Sequence, residues 1–309
     1  MSVEELLGHL REGDLRALAR ALTWIESGDP RGQELLRRIP GTHRSKVVGI
    51  TGSPGAGKST LTDQLIGEAR SRGERVGVLA IDPSSPFSGG AILGDRIRMM
   101  RHHRDPGVFI RSLASRGALG GLAGAAVGAL ALLEAFGFDV VFIETVGVGQ
   151  SEVDIARVAD TTVLVLTPAA GDAVQAFKAG IMEIADLFVI NKFDLPGGET
   201  LIREIKSSLE LAPPRAWKPP ILRVVATQAQ GISEVYDALQ EHREYLEKLG
   251  TLDERRLERA RFELESLIQE WGRRKSEEAT ELVAQVAAGQ LSPEQAARQL
   301  LRELSKQLD

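Results

Sequence analysis

The sequence predicts an α/β protein: a doubly wound, mostly parallel sheet, with a short helical extension ahead of it and a helical arm behind. Three observations carry that expectation. First, short apolar runs alternate with helical segments, at 47–51, 75–81, 108–111, 140–144, 161–167, 187–190 and 221–226. Second, these runs are continuous rather than alternating in polarity, the pattern of strands covered on both faces. Third, the first run leads through a glycine-rich loop into an amphipathic helix with Leu61, Leu65 and Ile66 on one side, the order in which a strand meets a phosphate-binding loop.

The extension spans residues 1–42. Ser2 and Glu5 have the spacing of a capping box. Asp14 is placed to cap a second helix carrying Leu15, Leu18, Ala19, Leu22 and Ile25. Asp29 and Pro30 open a third as N-cap and first helical residue, and Pro40-Gly41 ends it. Residues 43–249 form the sheet domain, in which Pro213-Pro214 and Pro219-Pro220 bracket a loop. From 250 to 309 the composition turns to Glu, Arg, Leu, Gln and Ala. There Leu257, Ala260, Leu264, Leu267, Ile268 and Trp271 recur every three or four residues, a seam of about two heptads suited to packing on its own domain or, as expected here, on a second copy of the chain. Ser292 and Gln295, with Pro293 between them, open the last helix as another capping box.

Composition excludes several chemistries. A net charge of −5 offers no basic field for nucleic acid or an anionic membrane, and neither is expected as a partner. With no cysteine there are no disulfides, thiolate nucleophiles or cysteine-based zinc or nickel sites. The adjacent pair His102-His103 reads as a solvated helix end. The glycine- and alanine-rich stretch 117–131 lies between Arg116 and Glu134 and reads as a buried helix packed on the sheet, too short to span a membrane. The acidic first residues lack the pattern of a secretory leader, and a cytoplasmic protein is expected.

Gly52-Ser53-Pro54-Gly55-Ala56-Gly57-Lys58-Ser59 fits G-x-x-x-x-G-K-[ST], with Thr60 following in the helix. Glycines let backbone N–H groups turn inward around a phosphate, and the helix points its positive end at the same anion. Lys58 is expected to reach the β- and γ-phosphates, and the Ser59 hydroxyl to hold Mg²⁺. Asp82, Asp95 and Glu144 lie at strand ends or in the loops that follow, where such acids serve Mg²⁺ directly or through water. Glu144-Thr145-Val146-Gly147 is similar to the D-x-x-G of GTPases, with the Gly147 N–H facing the γ-phosphate. Gln150 invites comparison with a water-positioning glutamine, but Val148 and Gly149 put it at the wrong offset. Asn191-Lys192-Phe193-Asp194 fits N-K-x-D. Its aspartate can accept from the ring N–H and exocyclic amine of guanine, a donor pair adenine lacks. Ala226-Thr227, after the last strand, is the weaker element backing the base.

Together these motifs resemble the MeaB/ArgK family of P-loop GTPases, chaperones of adenosylcobalamin-dependent acyl-CoA mutases. The resemblance covers almost the whole chain, through GSPGAGKS, IDPSSPFSGGAILGDRIRM, FIRSLASRGALGGLA, ETVGVGQSE and NKFD. It implies Mg²⁺-dependent hydrolysis of GTP to GDP, slow alone and faster with a mutase bound. It assigns metal and switch roles to Ser59, Asp82, Asp95 and Glu144, groups Lys178 with Lys58, Asp95 and Glu144 in catalysis, and marks the segment around Asp172, Gln175 and Lys178 as a mobile switch. It further implies homodimers through the C-terminal helices. The implied function is to gate adenosylcobalamin loading, protection and reactivation of methylmalonyl-CoA mutase or a relative such as isobutyryl- or 2-hydroxyisobutyryl-CoA mutase. One departure is Ala226-Thr227-Gln228, where a Ser-Ala pair is usual; it bears on fine base contacts. The rival readings are a P-loop kinase or ATPase linked to arginine transport, against which NKFD speaks, and a metal-insertion GTPase, which lacks its thiolate ligands here.

Overall fold

The computed structural model describes residues 1–39, 41, 45–82, 99–114, 124–145, 151–168 and 181–308. The chain divides into two compact units, Met1–Ala260 and Arg261–Asp309.

Capping explains where the first helices begin. In α1 (Val3–Arg11), Ser2 Oγ accepts the Glu5 N–H at 3.2 Å and the Glu5 carboxylate accepts the Ser2 N–H at 2.8 Å. Asp14 caps α2 (Leu15–Ser27), and Asp29, followed by Pro30, caps α3 (Pro30–Arg38). Each cap satisfies an N–H that a helix start leaves unpaired.

The strands β1 (Lys46–Thr51), β2 (Val76–Asp82), β3 (Val108–Ala114), β4 (Val140–Thr145), β5 (Thr161–Leu166), β6 (Leu187–Ile190) and β7 (Ile221–Arg223) form one sheet. Its order is β3-β2-β4-β1-β5-β6-β7, with parallel pairing throughout. The helices between are α4 (Lys58–Ser71), α5 (Gly124–Phe136), α6 (Ser151–Val158), α7 (Ile181–Ile184), α8 (Gly198–Leu211) and α9 (Ile232–Leu249). On one face, α4 and α9 bury Leu61, Leu65 and Val235 against Ile50, Val163 and Val189. On the other, α7 and α8 bury Met182 and Ile205 against Leu164 and Phe188. Each fully buried aliphatic or aromatic side chain contributes roughly 1.5–3 kcal/mol. Gly49 in β1 lets α6 approach: a Cβ there would stand 2.6 Å from Ile155 Cγ1. The stretch expected as a buried helix contributes α5, which lies against α2 as well as the sheet. Arg111 on β3 reaches back to Glu26 on α2 at 2.5 Å.

Two strands differ from expectation. β3 continues past residue 111 because Ser112, Leu113 and Ala114 go on pairing with Ala80, Ile81 and Asp82 of β2, and at this edge of the sheet Arg111 turns to Glu26. β7 stops at Arg223, and Ala226–Gln228 is a single 3-10 turn. The backbone leaves the ladder there because the Ala226 N–H goes to a side chain, Asn191 Oδ1, and Val225 bridges to Gln230. No helix among the described residues is long and apolar enough to cross a membrane.

Helix α10 (Thr251–Glu278) begins in the first unit and continues into the second. Its first turns are bound to the amino edge of the sheet. Arg255 makes two bonds to Asp186, at 2.7 and 2.8 Å, and the buried Arg259 joins Asp160 and Glu134. Asp160 also accepts the Val47 N–H at 3.0 Å, and Asp186 the Thr162 N–H at 2.8 Å. The second unit holds the rest of α10, α11 (Thr280–Ala287) and α12 (Pro293–Leu308), the last opened by the Ser292–Gln295 capping box. Leu257, Leu264, Leu267 and Ile268 along α10 are exposed.

Beside this network His242 is fully buried, 2.8 Å from the Thr161 hydroxyl and against the Trp217 ring. Burial pushes its pKa down from 6.5 to about 4, against the opposing pull of Asp186. Between those values the unfolded chain binds a proton that the fold excludes. Stability is therefore expected to fall as pH drops from 6.5 towards 4, by as much as about 3 kcal/mol, and His242 contributes no slope above that window. Urea unfolding across pH should show this decline, and His242→Gln should remove that part of it; an unchanged slope would be contrary.

Candidate functional site

The carboxyl ends of β1, β4 and β5 lie together where the chain reverses direction across the sheet, the position at which open parallel sheets bind ligands. The loop after β1 ends at Gly57, which precedes α4 with φ 88° and no side-chain cap. The first N–H groups of α4 are thereby presented to an anion. Lys58 is buried, and its ammonium donates to the carbonyls of Gly52 at 2.7 Å and Ser53 at 3.0 Å. It lies across the loop that it closes.

Because β4 pairs with β1, Glu144 stands level with Ile50 and faces the start of α4. Its carboxylate is 3% exposed. Ser59 Oγ donates to Oε1 at 2.5 Å, and Thr62 Oγ1 lies 2.9 Å from Oε2. A buried carboxylate beside a serine hydroxyl, at the end of a phosphate loop, is a set of hard oxygen donors that fits Mg²⁺. Thr62 was not among the sequence candidates. Its signal was the i, i+3 spacing from Ser59, which puts both hydroxyls on one side of α4.

The other half is assembled by Asn191. Its Nδ2 donates to Ala56 O at 2.8 Å, and its Oδ1 accepts the N–H groups of Lys192 at 2.8 Å and Ala226 at 3.1 Å. Lys192 adopts φ 55° and sends its ammonium to Gly55 O at 2.8 Å. The contact is close: a Cβ on Gly57 would lie 2.3 Å from Asn191 Nδ2. Asp194 and Thr227 are exposed beside this junction in sequence, while Ala226 is buried. Residues 52–57, 191–194 and 226–228 are thus brought to one place.

Of the remaining candidates, Asp82 is placed by its main chain alone, at the carboxyl end of β2 level with Ala114. Asp95, Gly147 and Lys178 lie outside the described residues, as do Gln150, Asp172 and Gln175. His102 is not the solvated residue expected. Its ring is 12% exposed and meets Asp63 of α4, at 3.1 Å from the carbonyl and 3.2 Å from the carboxylate, whereas His103 is exposed.

A family model described as "Methylmalonyl Co-A mutase-associated GTPase MeaB" matches residues 18–281. A protein of Pyrococcus abyssi named a GTPase is 49% identical over 313 residues, covering 98% of this chain and 97% of that one. The mouse "Methylmalonic aciduria type A homolog, mitochondrial" is 38% identical over 288 residues, 87% of this chain and 69% of that protein. Among solved structures, one described as LAO/AO transport system kinase superposes with a TM-score of 0.73 at 30% identity, covering 98% of this chain and 97% of its own. HypB of Helicobacter pylori with nickel, TM-score 0.50 at 20% identity over 69% of this chain and 94% of its own, shares the fold alone.

The Asn191 junction makes a direct prediction. Asn191→Ala leaves the buried Ala226 N–H without its acceptor and should lower stability by about 1–3 kcal/mol. Urea unfolding should read that loss, and amide exchange should quicken at Ala226. Unaltered exchange there would mean that the side chain does not hold the turn.

Proposed function

This chain belongs to the family of methylmalonyl-CoA mutase-associated GTPases, and from that membership we propose that it is a Mg²⁺-dependent, partner-stimulated GTPase that gates adenosylcobalamin loading, protection and reactivation of an acyl-CoA mutase. The observation that carries the reading is the Asn191 junction, which joins a base-reading segment to a phosphate loop with the Ser59–Glu144 pair beside it. GTP hydrolysis needs little covalent chemistry from the protein; positioning and charge stabilisation do most of it.

In this reading the loop amides of 52–57 and the N-terminus of α4 hold the phosphates. Lys58 exchanges its bonds to Gly52 and Ser53 for phosphate oxygens. Ser59 and Glu144 hold Mg²⁺, which when bound neutralises phosphate charge. Asp194 accepts from guanine, Asn191 fixes the segment that carries it, and Ala226 and Thr227 back the base. Asp82 and Asp95 keep the metal and switch roles that the family resemblance assigns, Gly147 offers its N–H to the γ-phosphate, and Lys178 belongs to the switch segment. A partner reads the nucleotide through the switch segments, and a difference of ~1.4 kcal/mol between the two nucleotide forms shifts its state tenfold.

The similar structure named as a transport kinase favours a second reading, phosphoryl transfer from ATP to an acceptor. The two separate cleanly. GTP should be bound and hydrolysed in preference to ATP, with faster turnover when a cognate mutase is added. Lys58→Ala should abolish hydrolysis and loosen mant-GDP, and Asp194→Ala should erase the preference for guanine. Tighter binding of ATP than GTP would favour the kinase.

The proposed working form is a cytoplasmic homodimer. Leu264, Leu267 and Ile268 are 59%, 42% and 55% exposed on α10, at the spacing of a helix seam. Light scattering should give twice the chain mass, and Leu264→Glu with Ile268→Glu should halve it while GDP binding persists. A mass unaffected by the pair of substitutions would place the interface elsewhere.

A further inference from the structure

Thr62 has a place in the site that the phosphate-loop motif does not assign. It lies one turn beyond Ser59 on α4, is wholly buried, and has two acceptors in reach: Glu144 Oε2 and the carbonyl of Lys58, each at 2.9 Å. A mid-helix threonine ordinarily returns its proton to the carbonyl four residues back. That carbonyl is already the acceptor for the helical N–H of Thr62. An ionised carboxylate can only accept, and a hydrogen bond to it is roughly twice as strong as one between neutral groups. The single hydroxyl proton is therefore directed to Glu144. Ser59 donates to the other oxygen, so two hydroxyls on successive turns of one helix grip both ends of the same buried carboxylate.

We propose that Thr62 is a positioning residue for the metal site: by holding Oε2 it fixes the plane of the Glu144 carboxylate and keeps Oε1 beside Ser59. The inference rests on the reading of Ser59 and Glu144 as the pair that holds Mg²⁺. Without the Thr62 hydroxyl the carboxylate can rotate, so the pair must be re-formed each time the ion binds. The result is a weaker hold on the ion with little change in the rest of the nucleotide pocket.

The experiment compares wild type with Thr62→Val, Thr62→Ser and Glu144→Gln in the full chain. The readout is the Mg²⁺ concentration that half-maximally slows mant-GDP release, beside mant-GDP affinity in EDTA and thermal melting. Thr62→Val keeps the shape and removes the hydroxyl. It should raise the Mg²⁺ requirement roughly tenfold, the loss of one charge-assisted bond, and leave affinity in EDTA within about twofold of wild type. Thr62→Ser should restore the requirement, and Thr62→Ala replaces the valine variant if that one does not fold. An unchanged requirement in Thr62→Val, with a raised one in Glu144→Gln, overturns the role of Thr62 and leaves the metal reading standing. If Glu144→Gln also leaves it unchanged, the metal reading falls and this inference with it. A rise that Thr62→Ser does not reverse, matched by an equal loss in EDTA, would mean packing rather than positioning and also overturns it.

Discussion

One side-chain amide ties the two halves of the site together. Asn191 donates to the loop after β1 and accepts from the segments after β6 and β7, so a single planar group spans three connections. The parallel sheet makes this possible. With β1, β5, β6 and β7 side by side and running the same way, their carboxyl ends open on one edge, and loops far apart in sequence become neighbours. Gly57 is the matching half of the constraint, because any side chain there would collide with the amide. The loop after β1 and the segments after β6 and β7 are held by one group, so a shift in any one bears on the others.

The two edges of the sheet divide the labour. At the carboxyl edge, Lys58 and Asn191 bond to carbonyls of the loop after β1, and Ser59 bonds to Glu144. At the amino edge, Asp160 and Asp186 each satisfy a strand N–H; Asp160 also receives Arg243 of α9 and Arg259 of α10, and Asp186 receives Arg255 of α10. Buried ion pairs of this kind contribute little net stability, since desolvation offsets most of the attraction. Their geometric effect is larger: bidentate bonding fixes direction as well as distance. The start of α10 is therefore fixed against the sheet.

What could be read in the chain was what is local. Ser2 with Glu5, Asp14, Asp29 with Pro30, and Ser292 with Gln295 act within one helical turn, and each caps the helix expected of it. The strand runs and the phosphate loop were readable for the same reason, because a continuous apolar run or a fixed glycine spacing needs no distant partner. The limits appear where the partner is far away. Thr62 meets Glu144 across 82 positions, Asn191 meets Ala226 across 35, and Arg259 meets Asp160 across 99. His102 looked solvated because nothing near it in sequence announces Asp63. β7 ends early for the same cause, a side-chain acceptor that only the fold supplies. The mutual distances of these residues come from the strand order.

The ammonium of Lys58 already sits on two carbonyls of its own loop. Any anion that takes it must outcompete those carbonyls, so uptake is an exchange of partners and not a simple gain. A singly charged oxyanion brings one formal charge to that exchange. A polyphosphate brings several formal charges at once, and its attraction grows with their number. In the proposed site this exchange favours a charge-dense polyphosphate over a singly charged anion before any base contact is made.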